Sequence, residues 1–72
     1  MIEIKIRFKN GDIGYFKLKN EIQEAEMEAY FDFLGDRFKN ESVGAIELID
    51  LADNKRTYVN IREICSFGYS YV

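Results

Sequence analysis

Glu24, Glu28, Asp32 and Asp36 recur at every fourth position, with Glu21 just ahead of them. On a helix this spacing ranges five carboxylates along one face. Carboxylates in such a row can share protons, hold a cation or dock a basic surface. Calcium wants six to eight oxygens from a curved loop, and groups spread along a straight helix do not converge on one ion. Zinc is poorly served by a chain with no His and one Cys. No metal or other cofactor is implied, and the stripe points to docking on a basic partner surface. Like charges at this spacing repel by about 0.2–0.5 kcal/mol per pair, so the row opposes its own helix. An ordinary solvated face would show the same residues.

Catalysis is disfavoured by what the sequence lacks. Without His, Cys65 or a serine would need a Lys or carboxylate as base, and neither a Ser-x-x-Lys pattern nor a nucleophile elbow is present. Cys65 lies in an apolar segment, which predicts a buried, inert thiol. The run Asn10-Gly11-Asp12-Ile13-Gly14 matches neither a P-loop nor a dinucleotide fingerprint. A non-enzymatic module is expected.

The elements that must position these groups follow from the hydrophobic period. Ile2, Ile4, Ile6 and Phe8 alternate with Glu3, Lys5, Arg7 and Lys9, which predicts a strand with one buried face. A second strand is expected from Ile13 to Lys19. A two-residue Asn10-Gly11 turn would set charged side chains against apolar ones. A loop from Asn10 to Asp12 sets Phe8 opposite Gly14, Ile6 opposite Phe16 and Ile4 opposite Leu18, and is preferred. The outer face of this hairpin then carries Lys5, Arg7, Lys9, Tyr15, Lys17 and Lys19, beside Glu3 and Ile13. Cations flanking an aromatic plane are the chemistry of a single-stranded nucleic-acid platform, although one tyrosine and an acidic overall balance argue against nucleic acid as the partner.

Asn20 and Gln23 suit a capping box, predicting a helix from there to about Leu34, or past Arg37 if Gly35 is tolerated inside it. Met27, Phe31, Leu34 and Phe38 form one apolar row and Ile22, Ala29 and Phe33 another, both read as core. Val43–Leu51 and Arg56–Ile61 are expected to pair across an Asp53-Asn54 turn, with Leu48 opposite Val59 and Ile46 opposite Ile61. A last strand, Ile64–Val72, places Cys65, Phe67, Tyr69 and Tyr71 on one face. At a sheet edge its tyrosines, Tyr69 and Tyr71, would suit a protein interface, including a homodimer. The fold class is α+β: a single ββαββ(β) domain over residues 1–72, with an antiparallel sheet packed on one helix.

Charge is sorted along the chain. Residues 1–19 hold five basic and two acidic side chains, residues 20–36 six acidic and none basic, and residues 37–72 five of each, for a net charge of −3. Such asymmetry directs attention to partners. The one cysteine, together with the lack of an apolar run of signal-peptide or membrane-span length, makes the cytoplasm the expected compartment. The match of Asn40-Glu41-Ser42 to a glycosylation acceptor is accordingly given no weight. Zero Pro with abundant Lys, Ile and Asn fits an AT-rich coding sequence of phage or mobile-element type. The expectation is a small regulator or inhibitor that docks a basic protein surface through Glu21, Glu24, Glu28, Asp32 and Asp36, with Tyr69 and Tyr71 as a second surface. The alternatives are single-stranded nucleic-acid binding through the basic hairpin face, and a structural homo-oligomer that would include head-to-tail contacts.

Overall fold

The computed structural model describes residues 1–20, 22–40 and 44–72. The elements in chain order are β1 (Ile2–Phe8), β2 (Ile13–Lys17), α1 (Glu24–Asn40), β3 (Ala45–Asp50), β4 (Lys55–Asn60), a short 3-10 turn (Ile61–Glu63) and β5 (Ile64–Tyr71). They form one antiparallel five-stranded sheet of order β4-β3-β2-β1-β5 with the single helix against it, the α+β architecture expected. Glu21, Val43 and the Glu41-Ser42 part of the acceptor pattern lie outside the described residues.

Strand order determines the shape. β4 and β5 occupy opposite edges, about 19 Å apart if four inter-strand spacings lay flat. Yet Asn60 and Ile64 are separated by only four peptide steps, about 14 Å at full extension. The sheet must therefore curl until its edges approach. Two backbone bonds secure the turn that joins them: Ile61 N–H donates to Gly44 O at 2.9 Å and Lys9 N–H to Glu63 O at 2.9 Å. The concave face then encloses Ile4, Ile6, Phe16, Ile46, Leu48 and Val59, all buried. Leu34 of α1 joins this cluster and Met27 is wholly buried, while Phe31 and Phe38 set their rings against Phe67 at 4.7 and 4.4 Å.

Face assignments agree with the alternation in the sequence, but both hairpin registers differ from expectation by two residues. In the first, Ile4 opposes Phe16 and Ile6 opposes Gly14. The loop does contain three residues, but they are Lys9 to Gly11. Gly11 takes φ +94°, Phe8 N–H donates to Asp12 O, and Asn10 Oδ1 accepts from Asp12 N–H at 2.9 Å. A glycine able to adopt positive φ sets the loop one residue earlier than side-chain matching suggests. In the second, Ile46 opposes Val59 and Leu48 opposes Thr57 across a four-residue turn, Leu51 to Asn54. Asn54 there has φ +58° and donates to Asp50 O, while the Asp50 and Asp53 carboxylates accept from Ala52 and Lys55 N–H. A shift of two keeps every side chain on its face, so hydrophobic alternation could not detect it.

The helix begins at Glu24, four residues after Asn20, so Asn20 does not cap it. It continues through Gly35 to Asn40. The extra turn brings Phe38 onto Phe67, and burying a phenylalanine, worth about 1.5–3 kcal/mol, outweighs the roughly 1 kcal/mol cost of a helical glycine. Of the second apolar row, Ile22 is half-buried, while Ala29 and Phe33 are exposed, Phe33 by 57%. Cys65 is exposed as well. Arg7 pairs with Ser66 and Phe8 with Ile64, so Cys65 is the extra residue of a β-bulge. The bulge turns its thiol out of the series that Phe67, Tyr69 and Tyr71 continue. No helix among the described residues is long and apolar enough to cross a membrane.

Candidate interaction surfaces

The curled sheet separates two surfaces of opposite charge. On the solvent side of α1, Glu24, Glu28, Asp32 and Asp36 are all exposed in the row their spacing implies. Both ion pairs found among the described residues involve Glu47, so these four carboxylates stand unneutralised there. At 100° per residue, Phe33 lies between Asp36 on one side and Glu26 on the other, with Ala29 one turn before it. Phe33 thus projects with Asp36 and Arg37 one turn after it and Ala29 and Tyr30 one turn before it. Only the tilted ring of Tyr30, at 6.3 Å, flanks it among the ring contacts. The sequence contained the signal for this: at 100° per residue, Phe33 is rotated well away from the Met27–Leu34 line.

The two tyrosines expected to form a second surface have different positions. Tyr69 packs against Phe31 at 4.8 Å and is half-buried at the rim of the core. Tyr71 remains exposed and its hydroxyl donates to the Glu24 carbonyl at 3.4 Å. Partial desolvation raises its phenol pKa above the ordinary 10.0, with Tyr69 and the negative charges of Glu24 and Glu28 adding to the shift. β5 is an edge strand, and its terminal residues border the acidic stripe.

The convex face is basic. Lys5 stands between Tyr15 and Gly68 on neighbouring strands, and Arg7 between Ile13 and Ser66. Lys17 follows on β2 opposite Ile49. Lys19 lies beyond the end of β2 but reaches Glu47 at 3.3 Å. Lys9 is absent from this face. It belongs to the hairpin loop and gathers instead with Lys39 and Arg62 at the C-terminal end of the helix. Arg56, which sequence reasoning missed, and Tyr58 lie on the outward side of β4. Arg56 Nη2 meets Glu47 at 2.6 Å, and Tyr58, opposite Glu47, is 71% exposed. The Arg56 hydrogen bond holds the Glu47 carboxyl below its ordinary range against partial desolvation, and Lys19 and the Tyr58 hydroxyl reinforce it.

Comparison with protein-family models, curated proteins and solved structures gave no match to this chain.

Proposed function

We propose that this chain is a protein-binding module that docks a basic partner surface through the solvent face of α1. The observation that carries this reading is Phe33, exposed by 57% beside Asp36 at the end of the acidic stripe. Interfaces concentrate their energy in aromatic anchors ringed by polar groups, a pattern that an unburied phenylalanine next to the carboxylate row fits. The carboxylates steer a basic partner and set its orientation; the ring supplies the buried centre of the contact. Inhibition or regulation of a nucleic-acid-binding protein is the sharpest form, since such a protein presents a ready-made basic surface.

The test is comparative capture from a lysate on three immobilised proteins. These are the wild type, Phe33→Ala, and a variant combining Glu24→Gln, Glu28→Gln, Asp32→Asn and Asp36→Asn. A partner held by the wild type should weaken by about 2 kcal/mol or more with Phe33→Ala, and its association should lose salt dependence with the neutralised stripe. A partner held equally by all three rejects the helix face. The edge position of β5 favours one other reading, a homo-oligomer joined through that strand; it requires a mass that rises with concentration.

A further inference from the structure

The convex face has a shape as well as a charge. β1 presents Glu3, Lys5 and Arg7 outward, while the residues paired with them on β5 are Ser70, Gly68 and Ser66. Long side chains on one strand thus border small ones on the next, leaving a shallow groove of about 420 Å³ floored by Ser66, Gly68 and Ser70. On the other side of Lys5 lies Tyr15, 45% exposed, about 10 Å and two strand spacings from the groove. Gly68 is not required by packing. A Cβ there would meet nothing within 4 Å, and its backbone is not in the left-handed region.

From these observations we infer that the convex face binds single-stranded nucleic acid, with the backbone in the Ser66–Gly68–Ser70 groove against Lys5 and Arg7 and bases stacked on Tyr15. The charge is complementary. Lys5, Arg7, Lys17, Lys19 and Arg56 oppose Glu3 and Glu47, a net of +3 (5 − 2) in a chain whose total is −3. Glu47, already engaged by Lys19 and Arg56, adds little repulsion of its own. Glu28, Asp32 and Asp36 lie on the solvent side of the helix, across the sheet from this face, whereas Glu24 lines a cleft that Lys17 and Lys19 also line. Tyr15 and Tyr58 supply flat surfaces that accept any base, and the seryl hydroxyls supply donors for phosphate oxygens. A duplex presents its bases inside the stack, so stacking on Tyr15 selects single strands.

The decisive experiment is fluorescence anisotropy with labelled oligothymidylate and oligouridylate of about fifteen nucleotides, a length that covers a module-sized site. The wild type should bind at low salt. With three or four phosphates engaged, log affinity should fall against log salt with a slope of about −2 to −3. Gly68→Glu, which fills and charges the groove, should weaken binding at least about tenfold while the melting temperature stays the same. Tyr15→Ala, at an exposed position, should weaken it about five- to a hundredfold. Asp32→Asn with Asp36→Asn should leave it unchanged or tighter. Absence of wild-type binding to both oligomers at low salt overturns the assignment, as does Gly68→Glu or Tyr15→Ala binding like the wild type. Salt-sensitive self-association that Gly68→Glu abolishes also overturns it, because the face would then belong to a second copy of this chain.

Discussion

A methyl group added to Gly14 would stand 2.6 Å from Cε2 of Phe16, whose ring folds back over the glycine and meets Phe8 edge-on at 6.4 Å. Phe16 is buried, so it cannot yield cheaply, and Gly14→Ala should cost about 1–3 kcal/mol in chemical denaturation. Glu47 provides a prediction in pH. Its folded pKa lies below the ordinary 4.5, so its stabilising contribution is fully present above that value and fades as pH falls through the folded one. Acid titration of stability should therefore show a component in the wild type that Glu47→Gln lacks. An identical pH profile in the two proteins would show that the Arg56 and Lys19 contacts contribute nothing. The residue scale is also where the sequence was least legible. Cys65 and Phe33 both belong to apolar patterns, yet a bulge turns one outward and about 100–120° of helical phase leaves the other in water.

Among the elements, α1 carries the clearest conflict between local preference and tertiary gain. Its first turn is acidic and its last turn basic, in harmony with the helix dipole, but Gly35 interrupts its interior. A Cβ at position 35 would lie 4.0 Å from Phe67 Cζ, an ordinary contact, so Gly35→Ala should stabilise the protein by about 0.5–1 kcal/mol. Thermal melting checks this, and a loss of stability would mean that the added methyl crowds the Phe67 ring. The hairpins convey a different lesson. Each turn holds a residue at positive φ, Gly11 or Asn54, and that residue determines the register. Substituting Gly11→Ala should cost about 1 kcal/mol without altering either hydrophobic face.

At the scale of the whole molecule, one helix and one curled sheet share a small core, so little stability can be spared. For 72 residues a total of about 4–11 kcal/mol is expected. Removing the wholly buried Met27 side chain in Met27→Ala should cost about 2–5 kcal/mol, enough to lower the urea midpoint by a large fraction. A small shift would place Met27 outside the cooperative core. The sequence by itself determined the fold class, the inward face of each strand, the Met27–Phe38 line of the helix and the segregation of acidic from basic residues. These are properties of side-chain periodicity, and burial of one face enforces them wherever the strands lie. Only the tertiary structure decided that β5 pairs with β1 while β4 takes the far edge, that the sheet curls to join them, and that the Ser66–Gly68–Ser70 floor lies beside Lys5 and Arg7. Those relations depend on contacts between segments distant in sequence and on the conformations of a few turn residues, and hydrophobic alternation is unchanged by either.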